Sequence, residues 1–232
     1  FKVDPAKIKI LKEKLQITNR SKIFIAGSTH ETEEDSVIKA FKHLLREIPD
    51  VRLILVPRKP ERFDDVAEII KASGLDYCRY TEISGSSDKP VVLVDTIGML
   101  TSLYHLSHVA FVGGSLNQTG GHNLLEASSA GVPVLFGPNM HNFREVMRDV
   151  LEAGAGFQIE DSSDLGFRLQ DLFEDHDLHK QLSNSAGKVI GRNQQALPLT
   201  LEVISEAMTW SGTITSPPAI LKILSWIHAE GA

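Results

Sequence analysis

Short runs of consecutive apolar residues alternate with longer segments of helical period along most of this chain. The runs are KIFIAG (22–27), VRLILVP (51–57), PVVLVD (90–95), HVAFVGG (108–114) and VPVLFGP (132–138). A weaker run is DYCRYT (76–81), and FQIE (157–160) reads as a short last one. Near-continuous apolar runs of this length predict strands of a parallel sheet covered on both faces. Between them lie amphipathic segments, clearest over 31–48, where Val37, Ile38, Phe41, Leu44, Leu45 and Ile48 recur at helical spacing. The fold class expected is therefore α/β with a doubly wound parallel sheet, whose ligands bind at the loops beyond the C-terminal strand ends. From about 162 the pattern is helical, through SSDLGFRLQDLFED, HDLHKQLSNSAGKVIGRN and LTLEVISEAMTW. A Ser/Pro break then leads into SGTITSPPAILKILSWIHAEGA, which reads as a packing segment or disordered end, with a membrane or partner contact as the alternative.

Composition narrows the partners. The chain has 232 residues, 42% hydrophobic and 23% charged, with a formal charge of −6, which argues against broad nucleic-acid binding. An anionic ligand must then be held by local donors and a few placed cations. Cys78 is the only cysteine, so no internal disulfide and no Cys-based zinc site is expected, and a reducing compartment is. No run of about 18 apolar residues is present to span a membrane. The start, FKVDPAKIKILKEKLQI, lacks both methionine and a signal-peptide core and reads as a piece of a longer protein.

Candidate chemistry sits in four loops. In Gly27–Glu34, Ser28 and Glu31 have the spacing of a capping box, which accounts for the loop except for His30, a possible donor to a ligand oxygen. Pro57–Phe63 places Arg58, Lys59 and Arg62 directly after a buried strand, and Arg58 suits phosphate or carboxylate. In Val94–Leu100, Asp95 or Thr96 reads as an N-cap. The richest stretch is GGSLNQTGGHNLLEASSAGVPVLFGP, Gly113–Pro138: a strand, a glycine-rich loop, a helix starting at His122 and Asn123, and a second strand. This order predicts backbone N–H groups and a helix N-terminus converging on a phosphate. Glu126 then serves either the helix dipole or a bidentate hydrogen bond to ribose hydroxyls. Asn142 reads as an N-cap or a cleft residue, and His43, His105, His108, His176 and His179 as structural.

Together AGSTHETEE, ILVPRKPERF, VDTIGML and AFVGGSLNQTGGHNLLEASSAGVPVLFGPNMHNF resemble the 3-deoxy-D-manno-octulosonic acid (Kdo) transferases, over about residues 20–160. The resemblance implies the C-terminal, Rossmann-like half of a GT-B glycosyltransferase. It divides the chain into a linker and short helix (1–20), a CMP-sugar-binding domain (21–210) and a tail (211–232). It implies inverting, metal-independent transfer of Kdo from CMP-Kdo to a lipid A precursor, with no cofactor. A location at the cytoplasmic face of a bacterial inner membrane follows, or a plant mitochondrion or plastid, with peripheral membrane contact and no nucleic acid. By matching motif, Pro57, Arg58, Gly113, Gly114, Ser115, Gly120, Gly121, His122, Asn123 and Glu126 are the nucleotide-binding set. Ser28, Thr29, His30, Glu31 and Asn142 face the donor sugar or the cleft. The catalytic base and the acceptor surface belong to the family's N-terminal domain, so this chain alone is expected to be inactive.

The chain departs from the family pattern at Thr119, where arginine is usual, at Leu124, where proline is usual, and at Met99, where glutamate is usual. These bear on donor affinity and donor identity more than on fold. Two alternatives stand beside the leading one: a GT-B domain for another nucleotide sugar such as a UDP-sugar, and a truncated non-catalytic homologue acting as a binding module.

Overall fold

The computed structural model describes residues 3–190. The expected helix within LTLEVISEAMTW, the tail, and the 210/211 boundary lie outside the described residues. The first compact unit ends at Val189.

Seven strands form one sheet: β1 (Lys22–Thr29), β2 (Val51–Pro57), β3 (Tyr77–Arg79), β4 (Val91–Leu93), β5 (Val109–Val112), β6 (Val134–Phe136) and β7 (Gly156–Gln158). Every paired neighbour is parallel, in the order β3-β4-β2-β1-β5-β6-β7. The chain therefore starts at the centre with β1, adds β2 beside it, runs to the edge at β3, fills the gap with β4, and crosses to the other side of β1 at β5. The β1/β5 boundary is thus the switch point of the sheet, where such folds bind ligands beyond the C-terminal strand ends.

The helices are α1 (Pro5–Lys14), α2 (Glu33–Glu47), α3 (Phe63–Ala72), α4 (Leu100–Tyr104), α5 (Leu125–Ser129), α6 (Arg144–Ala153) and α7 (Ser162–Glu174), with a further helix over 176–190. Along β1 the side chains alternate between two cores. Ile23 and Ile25 face one with α1, α4, α5 and α6, while Phe24 and Ala26 face the other with α2, α3 and α7. All four are fully buried, which is why the run shows no polar alternation.

Several local expectations change. Helix α1 is part of the core, with Leu11 and Leu15 buried against the sheet. The Gly85–Asp88 run before β4, which reads in the sequence as a flexible loop, is tied down: the Arg52 guanidinium donates to the carbonyls of Leu15, Ser87 and Lys89, and Gln16 bonds Ser86. The expected capping box does not form. Ser28 lies within β1 at φ 54°, Thr32 at φ 73° precedes α2, and no side chain caps that helix. Three acids in its first turn, Glu33, Glu34 and Asp35, complement the helix dipole instead. Asp95 is no N-cap either; it accepts from the backbone N–H and the hydroxyl of Thr81.

Candidate functional site

A cleft of about 300 Å³ opens at the C-terminal ends of the central strands. Ser28 after β1, Arg58 after β2 and the 122–126 segment after β5 form its polar walls, while Leu100, Tyr104, Val112 and Phe143 supply apolar surface. Of the expected residues, Ser28, Arg58, His122, Asn123 and Glu126 therefore converge on one space. Gly98, Thr101 and Tyr104 complete the lining. Sequence reasoning missed Thr101 and Tyr104, because a helix as short as α4 carries no periodic signal to set its facing.

The glycine-rich turn is organised by a residue that spacing alone did not single out. Glu33 is fully buried. Its Oε2 accepts from the backbone N–H of Gly114 at 2.7 Å and of His30 at 2.9 Å, and its Oε1 from those of Ser115 and Leu116, each at 2.9 Å. The expectation that backbone N–H groups of this stretch converge on a ligand phosphate does not hold for Gly114 and Ser115. Their amides are consumed by an internal carboxylate, which welds the β1–α2 and β5–α5 loops together. Gly113 is required by the same contact, since a Cβ there would lie 2.5 Å from the Ser28 carbonyl oxygen and 2.7 Å from the Thr29 Cα. Ser115 is structural too: its hydroxyl donates to the Val112 carbonyl and accepts from the Gly137 N–H.

The helix expected at His122 and Asn123 begins later, at Leu125, and runs for only five residues. Asn123 Oδ1 accepts from the Leu125 N–H at 3.0 Å, so part of that helix's free end is already satisfied. Gly120 and Gly121, both at positive φ, pass close under Asn142, His141 and Met140, where only glycine fits. Asn142 is not an N-cap; its side-chain amide donates to the Thr119 carbonyl, and α6 starts at Arg144 behind Phe143.

His30 and His122 form a pair, Nε2 to Nε2 at 2.8 Å, in which one ring donates and the other accepts. Burial, then His30 and Arg58, push His122 down to about 4. Burial also lowers His30; Glu33 opposes this, while Lys59, Arg58 and Arg62 add to it. The pair is thus neutral near pH 7; His122 lines the cleft with His30 behind it outside the lining, which leaves Arg58 as the cation lining the cleft.

The three cations of the 57–63 loop have separate fates. Arg58 is exposed at the cleft, and its backbone N–H is held by the Thr29 carbonyl at 2.9 Å. Lys59 is exposed on the surface. Arg62 turns inward and pairs with the fully buried Glu34 at 3.2 Å. Burial raises the Glu34 carboxyl, and Arg62 pulls it back. Pro57 ends β2, Thr29 is buried, and Glu31 is exposed 3.9 Å from Arg62, so these three stand outside the cleft lining.

Glu126, on the first turn of α5, accepts from the Thr101 hydroxyl at 3.0 Å. The buried Tyr104 phenol is pushed far up by burial and by the Glu126 charge, so it stays protonated. Among the described residues, no group of three or more His, Cys, Asp or Glu is placed to hold a metal ion. No helix among them is long and apolar enough to cross a membrane.

Residues 7–189 match the family described as glycosyl transferases group 1. The 3-deoxy-D-manno-octulosonic acid transferase of Haemophilus influenzae is 34% identical over 184 residues, 78% of this chain and 43% of that protein. That of Bordetella pertussis is 39% identical over 163 residues, 68% of this chain and 38% of that protein. The chain therefore spans under half the length of the curated relatives it matches. The crystal structure of the C-terminal CMP-Kdo binding domain of WaaA from Acinetobacter baumannii superposes with a TM-score of 0.74 at 31% identity, covering 81% of this chain and 99% of that one. A parallel sheet with its crevice at the β1/β5 switch point, a family match across nearly all described residues, and relatives aligned through one half of their length lead to one conclusion. The chain belongs to the group 1 glycosyl transferases, and it spans a C-terminal domain of the Kdo-transferase kind.

Proposed function

We propose that this chain is the donor-binding domain of a Kdo transferase, and that its cleft takes the nucleotide of CMP-Kdo. The observation that carries this reading is the placement of Arg58 and Glu126 in one cleft at the switch point. It is supported by 31% identity and near-complete coverage of a domain described as CMP-Kdo binding. In this arrangement Glu126 accepts from ribose hydroxyls, Arg58 faces the phosphate, and the neutral His30–His122 pair donates one hydrogen bond beside it. Pro57 ends the strand that delivers Arg58 to the cleft. Gly113, Gly114, Ser115, Gly120 and Gly121 shape the wall through close backbone packing rather than by donating to phosphate. Ser28 borders the sugar side, while Asn142 braces the turn behind it through the Thr119 carbonyl.

Arg58 offsets negative charge growing on the departing CMP, an electrostatic contribution to the transition state. The general base, the lipid A precursor acceptor and any peripheral membrane contact belong to the part of the full-length enzyme that this domain does not include. The relatives named above are bacterial, which supports the cytoplasmic face of an inner membrane as the place of action. Calorimetry of the chain with CMP, CMP-Kdo and UMP tests the reading. Saturable heat with CMP and CMP-Kdo, with UMP weaker, is expected; no heat from CMP at millimolar concentration refutes it.

A further inference from the structure

Glu126 belongs to the cleft, but what aims it is a residue on a different element. The Thr101 hydroxyl reaches from α4 to Glu126 Oε2 at 3.0 Å, joining two helices of five residues each across the floor of the site. A carboxylate has two oxygens and about four acceptor positions. With Oε2 engaged by Thr101, Oε1 has no protein donor among the described residues, although the side chain lines the cleft. The Tyr104 hydroxyl packs at Gly27, and that side chain is almost wholly buried where it borders the cleft.

Helices this short fix side-chain rotamers poorly by themselves, since most of their backbone groups lack intrahelical partners. Without Thr101, Glu126 has no hydrogen bond holding its side chain in place, and rotates among several staggered positions. Resting on the donor-binding reading above, we propose that Thr101 is a positioning residue. It locks Glu126 with one oxygen turned to the cleft, and so sets the preference for a ribose over a 2′-deoxyribose nucleotide. A vicinal diol offers two donors to a fixed carboxylate, whereas the deoxy sugar offers one. The difference between them is largest when the acceptor is held still.

The test compares CMP with 2′-deoxy-CMP by calorimetry on the 232-residue chain, its Thr101→Val and Thr101→Ser variants, and Glu126→Gln. The native chain is expected to favour CMP. Thr101→Val keeps the β-branched shape, loses the donor, and should shrink the CMP/2′-deoxy-CMP affinity ratio by about five- to tenfold, with 2′-deoxy-CMP affinity little changed. Thr101→Ser restores the ratio. A merely structural role weakens both nucleotides alike and leaves the ratio intact, and that result overturns the inference. A native ratio in Thr101→Val with a collapsed ratio in Glu126→Gln overturns Thr101's role while sparing the ribose assignment. No CMP binding by the native chain overturns the donor-binding reading and this inference with it. Melting temperatures of the variants, read in parallel, separate unfolding from lost discrimination.

Discussion

Glu33 offers the sharpest test of how this site is built. Its carboxylate is fully buried and accepts four backbone N–H groups, from His30, Gly114, Ser115 and Leu116, at 2.7–2.9 Å. Glu33→Gln keeps the volume, but its amide NH₂ then faces two N–H donors that it cannot accept. Each hydrogen bond to a charged group is worth about 1.5–3 kcal/mol, and a buried donor left unpaired costs about 1–3 kcal/mol. Relaxation of the two loops recovers part of this, leaving an expected loss of about 4 kcal/mol. For a domain of this size that corresponds to a melting temperature lower by about 10 °C. Circular-dichroism melts of the native chain and the variant, both at pH 7, measure it. A variant melting within about 2 °C of native shows that the loops hold themselves without the carboxylate, and refutes the reasoning.

Glu126→Ala should weaken CMP binding by about ten- to a hundredfold in calorimetry while shifting the melting temperature little, because its bonding side faces the cleft rather than the core. Arg62→Ala leaves the buried Glu34 carboxyl without its counter-charge and should cost about 3 kcal/mol at pH 7. Burial already raises Glu34, so the folded state tolerates it best protonated; denaturant melts should show a smaller loss near pH 4.5 than at pH 7. His122 sits at about 4 in the folded chain against an ordinary 6.5. Its folded value is depressed, so stability is complete above about 6.5 and declines as pH falls toward 4. Replacing it with Asn should flatten that slope by about 1–2 kcal/mol once screening at a half-buried ring is allowed for, as read by denaturation at pH 7, 5.5 and 4.5.

The apolar runs alone determined most of the architecture: all seven strands lie within or beside the stretches that periodicity marked. A strand buried on both faces carries few polar residues, so its signature survives without any knowledge of its neighbours. The loops that follow those strands were legible as the site for the same reason, and Arg58, His122 and Glu126 do meet in one cleft. What the sequence could not decide is which partner each polar loop residue takes. Glu33 and Glu34 are adjacent acids at one helix start, yet one captures the amides of a loop about 80 residues away and the other a guanidinium from a third loop. The glycine-rich turn looked like a phosphate cradle because its free amides were visible and their internal acceptor was not. Thr101 carried no pattern at all. Hydrogen-bond partners across a parallel sheet are set by strand order, and strand order is a property of the whole chain folded.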